Sequence, residues 1–385
     1  MLHQYWLLAL PLLVLDAAPG VVATHGKHAR KSNPSPPGLH VLPLIADNSD
    51  NYHSWIAEVA AGTPPQKMKL NLDIAKSTTW FISDKTYAEC DGCKDGYYQL
   101  NKSKTSSPVL GHTAISYGDP TTYPPSNLTF DLDYHKDTVQ IAGVSIPKQV
   151  FGLFNPYKDE FSGIGGLALG PNVEHGYAPG KIYSSFLDNL VTNKKIASRT
   201  YSIDLHEHGS KPASIILGGI DTGLHQTVPK GKNKAGEVTS YQVHKNDSVF
   251  LLDSSNQYLR FRHSFVDPLY KTLGAVNNGQ DAYFVPCEKR NMPGSWDFQF
   301  GDVTIKIPYS KIITNQSDDK GKTCWVGVLT TWKGQLVLGQ PFLEAAYLAF
   351  DLDNKQVALA PPANCGEKLV AFGSGRNAIP NLKGC

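Results

Sequence analysis

Met68, Leu70 and Leu72 alternate with Lys67, Lys69 and Asn71, and the run ends on Asp73. A period of two predicts a strand with one buried face. Tyr52 to Ala60 alternates in the same way and leads into the turn signal Gly62-Thr63-Pro64-Pro65. Farther on, Val249-Phe250-Leu251-Leu252 delivers a second carboxylate, Asp253, into Ser254-Ser255-Asn256. The stretch from Thr113 to Gly143 predicts a hairpin, and Pro124 and Pro125 should disturb its tip because proline lacks the backbone donor. Helical spacing is read only between Ile182 and Lys195, where Ile182, Phe186, Leu187 and Leu190 recur on one face. The rest is short apolar runs punctuated by turns, which predicts an all-β fold.

Composition narrows the class. Hydrophobic residues make up 41% and charged residues 18% of the 385 residues, as in an ordinary globular protein long enough for two lobes. A formal net charge of +2 gives no footprint for nucleic acid or an anionic membrane. Trp6 to Leu15 is apolar and is followed by Ala17, Ala18 and Ala23, which reads as a secretory signal over 1–23. That run is too short to span a bilayer, and no membrane anchor is expected. The six cysteines fit an oxidising compartment. The sequons at Asn101, Asn127, Asn246 and Asn315 fit a secreted glycoprotein. The expected location is extracellular, with a vacuolar lumen as the alternative.

The candidate chemistry lies in the two lone carboxylates. Two carboxyl groups brought close cannot both ionise easily, so the pair holds one proton. One then serves as acid and the other as base, which suffices to set water against a peptide bond. The only literal Asp-Thr-Gly, at Asp221-Thr222-Gly223, follows a double glycine rather than an apolar strand and is rejected as a partner. His206 and His208 flank Glu207, but no further ligand closes a metal shell, so a solvated turn is expected and no metal or other cofactor.

Gly62-Thr63-Pro64-Pro65-Gln66, Trp80, Ile115-Ser116-Tyr117-Gly118, Gly163-Ile164-Gly165-Gly166-Leu167-Ala168, Leu217-Gly218-Gly219-Ile220-Asp221, Leu338-Gly339, Phe342-Leu343 and Phe350-Asp351 together resemble the pepsin-like aspartic endopeptidases, the fungal secreted type in particular. The resemblance implies a bilobal pepsin-like acid protease fold: two β-barrel-like lobes with a cleft between them. The corresponding division is 24–40 for a short pro-segment or linker, 41–212 for the N-terminal lobe, 213–364 for the C-terminal lobe and 365–385 for a tail. It further implies Asp73 and Asp253 as the catalytic pair, and Tyr117, Gly118, Trp80 and Ser254 as substrate-binding positions. Cys287 and Cys324 fall where the family has its C-lobe disulfide. Cys90 and Cys93 fall in an N-lobe loop where a structural bridge is favoured over redox or zinc chemistry, which leaves Cys365 to pair with Cys385. A hydrophobic-hydrophobic-Gly element is expected beneath each aspartate, read here as Ile164-Gly165-Gly166 and Val337-Leu338-Gly339, with Gln340 where relatives usually carry Asp.

The catalytic motifs depart from the family. Where it has Asp-Thr-Gly-Ser or Asp-Ser-Gly-Thr, this chain has Asp73-Ile74-Ala75-Lys76 and Asp253-Ser254-Ser255-Asn256. Ile74 lacks the hydroxyl that helps lock the two loops, Ala75 and Ser255 add bulk at glycine positions, and Lys76 facing inward would favour ionised carboxylates. The sequence therefore predicts a secreted, monomeric endopeptidase acting on peptides or proteins. The alternative is an impaired pseudoprotease that binds them in a retained cleft. A xylanase-inhibitor-like relative of the same fold is disfavoured, since those proteins carry more disulfides.

Overall fold

The computed structural model describes residues 36–47, 54–83, 96–117, 128–154, 164–171, 183–206, 212–226, 241–242, 249–279, 282–301, 303–317, 322–331, 335–380 and 384–385. All of them belong to one compact unit spanning Ser35–Cys385. The signal reading, the Cys90/Cys93 bridge, Gly118, Asn127 and Asn246 lie outside the described residues.

The alternating run forms the strand Gln66–Asp73, with Met68, Leu70 and Leu72 buried and Lys67 exposed. It pairs antiparallel with Ser54–Ala61 and parallel with Gly165–Ala168, so Asp73 lies opposite Ala168. The short strand Trp80–Ile82 then returns antiparallel beside Gly165–Ala168 through Trp80 and Gly166. In the second half the same knot recurs. Val249–Leu252 runs parallel to Leu336–Leu338, and Leu259–Arg262 returns antiparallel through Arg260 and Val337. Each half thus threads an apolar strand between the two arms that flank its aspartate. This is the all-β, two-lobed architecture.

The register corrects one expectation. Trp80 with Gly166 corresponds to Arg260 with Val337, so the element matching Val337-Leu338-Gly339 is Gly166-Leu167-Ala168, two residues later than the sequence suggests. Gly166 stands where an apolar side chain is expected because Trp80 already fills the space. A Cβ there would meet Trp80 Nε1 at 2.5 Å.

Among the described residues, one sheet of 12 strands joins widely separated parts of the chain. His40–Asp47 pairs with both Ser54–Ala61 and Ser214–Leu217, and Tyr347–Asp351 pairs with Thr200–Asp204. The hairpin expected between Thr113 and Gly143 is present as Ser107–Tyr117 against Leu128–Ile141. The helix expected between Ile182 and Lys195 is shorter, Phe186–Thr192. It is started by a capping box in which Ser185 accepts from the Asp188 amide and Asp188 answers at the Ser185 amide. A second helix, His263–Leu273, goes beyond the sequence reading. It buries Val266, Leu269, Tyr270 and Leu273 and stops at Gly274, whose φ of 61° is the left-handed cap.

Disulfides join Cys287 to Cys324 and Cys365 to Cys385. The second ties residues 365–385 to the Asp221-Thr222-Gly223 turn, where the Cys365 amide donates to the Gly223 carbonyl. Asp221 is 1% exposed and accepts from the amides of Gly223 and Lys368. That carboxylate thus braces a structural turn through Oδ1.

Candidate active site

The two aspartate loops meet through one hydroxyl. Ser254 Oγ accepts from the Ile74 amide at 3.1 Å and donates to the Leu72 carbonyl at 2.8 Å. The loops flanking Asp73 and Asp253 are therefore fastened together by a hydroxyl from the C-terminal side. Ile74 returns no hydroxyl. Its side chain is 4% exposed and joins the apolar core instead.

Beneath each loop, the chain approaches too closely for any side chain. A Cβ on Gly170 would stand 2.7 Å from the Lys76 carbonyl oxygen, and one on Gly339 would stand 2.4 Å from that of Asn256. Both glycines let a neighbouring segment brace the loop by backbone bonds: Gly170 N donates to Lys76 O at 2.7 Å, and Gln340 N donates to Asn256 O at 2.8 Å. The Gln340 side chain adds a bond from Nε2 to the Ser254 carbonyl at 2.9 Å. An amide at this position thus supports the second loop without adding a charge.

Asp73 is 2% exposed. Its Oδ1 accepts from the amides of Ala75 and Lys76, both at 3.0 Å, while Oδ2 is buried with no hydrogen bond of good geometry among the described residues. Burial pushes the Asp73 pKa up, the negative charge of Asp253 pushes it further, and it reaches about 7. Tyr117, the Ala75 amide and the Lys76 ammonium oppose the rise without cancelling it. Lys76 thus acts on Asp73 in the direction expected for an inward-facing cation, toward the ionised form, but is outweighed. A half-buried lysine acts on it more weakly than burial and the facing carboxylate do.

Asp253 is half-buried, and its Oδ1 accepts from the Ser255 amide at 3.0 Å and the Ser255 hydroxyl at 2.6 Å. Asn256 turns its Oδ1 to the Tyr258 amide at 3.2 Å. Neither Ala75 nor Ser255 has a left-handed backbone, so both side chains fit positions expected to need glycine.

Tyr117 ends the strand Ser107–Tyr117 and accepts at its hydroxyl from Trp80 Nε1 at 3.1 Å. Trp80 stacks on Phe130 at 5.4 Å and meets Phe154 edge-on, which fixes the indole that holds Tyr117. Burial, followed by the Asp73 charge, raises the Tyr117 pKa, so its phenol remains a neutral donor. Sequence reading missed Tyr201. It is fully buried in the strand Thr200–Asp204, near enough for the Asp73 charge to act on it, and its hydroxyl has no partner among the described residues. A tyrosine amid apolar and hydroxyl positions carries no signal of that placement. Among the described residues no group of His, Cys, Asp and Glu is arranged to hold a metal. His206 Nδ1 instead lies 2.8 Å from Asp204. No helix of the described residues is long and apolar enough to cross a membrane.

Two β lobes whose apolar strands each present an aspartate to a shared junction define the architecture of an acid protease. The sequence model of the eukaryotic aspartyl protease family matches residues 54–362. The chain belongs to that family. It is 23% identical over 373 residues to the probable aspartic-type endopeptidase opsB of Aspergillus oryzae, covering 87% of this chain and 74% of the relative. It is 26% identical over 340 residues to an acid protease of Saccharomycopsis fibuligera, covering 81% of each. It is 28% identical over 332 residues to candidapepsin of Candida tropicalis, covering 80% of this chain and 78% of the relative.

Proposed function

We propose that this chain is a secreted, pepsin-like endopeptidase that hydrolyses peptide bonds with water held by Asp73 and Asp253. The observation that carries the reading is the Ser254 hydroxyl bound to both Ile74 N and Leu72 O, which fastens the two aspartate loops together and so supports a shared dyad despite the altered motifs. A buried Asp73 that keeps its proton to about pH 7 supplies an acid, and Asp253 supplies the facing charge. In the proposed reaction one carboxylate takes a proton from water, whose oxygen bonds to the peptide carbon. The other carboxyl gives its proton to the carbonyl oxygen. Collapse of the resulting diol breaks the C–N bond as the nitrogen is protonated and the other carboxyl is recharged from the diol. The mechanism calls for no metal or other cofactor.

Tyr117, Gly118, Trp80 and Ser254 are the proposed substrate-binding positions, with Tyr117 closing over an extended peptide. Secretion is proposed from the leader-like residues 1–23 and the disulfides, a monomer is proposed, and Asn101, which is exposed, is a proposed glycosylation position. Ile74 favours a second reading, a pseudoprotease, because it withholds the hydroxyl that would bind the loops from the N-terminal side. Cleavage of a denatured protein between about pH 3 and 7, with and without pepstatin, separates the two readings, with Asp73→Asn and Asp253→Asn as controls. Pepstatin-sensitive cleavage that disappears in both variants is the expected result. Pepstatin binding without cleavage would replace the protease reading with the second.

A further inference from the structure

We propose that the Cys365–Cys385 bridge is a thiol-exchange site, at which a small-molecule thiol unlatches the segment 365–385 from the back of the 12-stranded sheet. The site owes nothing to the chemistry of the two aspartates. The segment also lies beyond residues 54–362, the part of the chain that the family accounts for.

The segment acts as a strap. Along the strand Tyr347–Asp351, Leu348 and Phe350 face the main core, whereas Tyr347 and Ala349 join Ile220, Leu224 and Phe372 in a separate apolar cluster. The strap covers that cluster. Its strand Leu369–Ala371 pairs antiparallel with Gly219–Asp221, the Lys368 amide donates to Asp221 Oδ1 at 2.7 Å, and the Phe372 amide donates to the Gly218 carbonyl at 2.8 Å. At the far end the Cys385 amide donates to the His225 carbonyl at 3.0 Å. The approach is tight at both ends. A Cβ on Gly223 would collide with the Gly366 carbonyl, and one on Gly384 would stand 2.2 Å from that of His225. Yet among the described strap residues only Phe372 and Ala378 are buried. Two buried side chains and a row of backbone bonds hold little by themselves, so the covalent link carries a large share of the attachment.

The two described bridges differ in access. Cys324 is 4% exposed in the strand Thr323–Val326, where it lies opposite Val285 and belongs to the main core. Its partner Cys287 is half-buried. Cys365 and Cys385 are both exposed. Exchange requires a thiolate to reach a sulfur along the S–S bond, so the strap bridge is the open target and the Cys287–Cys324 bridge is shielded. In the exchange, the thiolate of a small molecule bonds to one cysteine sulfur as the S–S bond breaks, and the departing cysteine sulfur takes a proton. A second thiol displaces the first as its disulfide, which leaves two cysteine thiols on the chain. The small thiol is the reductant, and the strap is then held by its backbone bonds, Phe372 and Ala378 alone.

The test treats the folded full chain with reduced glutathione, labels free thiols with iodoacetamide and maps them by peptide. Hydrogen–deuterium exchange and thermal unfolding are measured on the same samples. Cys365 and Cys385 should become labelled, or carry glutathione, while Cys287 and Cys324 remain protected; Cys90 and Cys93 are read on their own peptides. The amides of Lys368 and Phe372 should then exchange faster, with the strand Gln66–Asp73 unchanged. The unfolding temperature should fall by about 5 °C, the scale for opening a loop of this size, since the bridge spans 20 residues. Oxidised glutathione should restore the parent, and Cys365→Ser combined with Cys385→Ser should match the opened form without any thiol. A strap bridge that opens no sooner than Cys287–Cys324 overturns the exchange site. Opening that leaves Lys368 and Phe372 exchanging as before overturns the latch.

Discussion

Ser254 donates one hydrogen bond and accepts another across the aspartate junction, and Ile74 gives nothing back. Ser254→Ala removes both bonds and leaves a buried amide and carbonyl unpaired, so a loss of about 1–3 kcal/mol is expected in urea unfolding, with cleavage falling further than stability accounts for. Ile74→Thr should behave differently. Burying a hydroxyl in place of apolar surface lowers stability at a position that is 4% exposed, yet raises kcat if a second fastening is what the site lacks. Tyr201 gives the converse case. Its hydroxyl is buried without a partner, so Tyr201→Phe should raise thermal stability by about 1 kcal/mol, measured by unfolding at pH 5. At this scale the sequence was half legible. Apolar runs ending on Asp73 and Asp253 mark the pair because strand periodicity is local. The Ser255 hydroxyl reads from sequence only as added bulk, because its value lies in a 2.6 Å contact that depends on how the loop turns.

Secondary-structure elements are held by hubs as well as by registers. Asp137, 1% exposed on the strand Leu128–Ile141, accepts from the hydroxyls of Tyr98, Ser103 and Thr105 and from the Thr138 amide, and so pins the segment around 98–105 against the strand. Burial alone would raise its pKa, but the hydroxyl and amide donors outweigh burial and hold it below the usual carboxylate range. A lowered native pKa contributes stability above the unfolded value of about 3.9, and that contribution is lost as pH falls through the native value. Asp137→Asn should therefore cost stability at pH 5 and cost progressively less below pH 4, which a denaturation series at both pH values would detect. An equal loss throughout would mean the charge is irrelevant. Most strands were legible because their alternation survives in the fold, as Met68, Leu70 and Leu72 show. The helix His263–Leu273 escaped the reading because Pro268 interrupts it, even though Val266, Leu269, Tyr270 and Leu273 keep helical spacing. The two-residue slip around Gly166 has a simpler cause. Gly163-Ile164-Gly165-Gly166 offers several equivalent alignments, and only pairing with Trp80 selects one.

Across the whole molecule, Asp73 shapes how stability responds to pH, and one buried glutamate joins distant parts of the chain. Asp73 titrates near 7 in the folded chain and near 4 when unfolded, so its contribution is fully present below about pH 4 and is lost as pH rises toward 7. Unfolding temperature should fall across that window, and Asp73→Asn should flatten the fall. An unchanged slope in the variant would exclude Asp73 as its source. Glu344, at the end of the segment Gln340–Leu343, takes the Trp55 indole on Oε1 at 3.3 Å and the Lys311 ammonium on Oε2 at 2.6 Å. It thereby joins the strand Ser54–Ala61 to residues more than 250 positions later. Glu344→Ala should destabilise by about 3 kcal/mol in urea unfolding, because the acceptor is buried and both donors lose it.

The sheet that pairs Tyr347–Asp351 with Thr200–Asp204 also sets an order of events in time. A ribosome releases the chain from its N-terminal end, so the strand Thr200–Asp204 emerges long before its neighbour and must wait with one edge bare. Pairings between such distant segments close slowly. Completion of this sheet therefore comes as one of the last acts of synthesis. A nascent chain halted before Tyr347 would carry both aspartates while the strand that holds Tyr201 near Asp73 still lacked this neighbour.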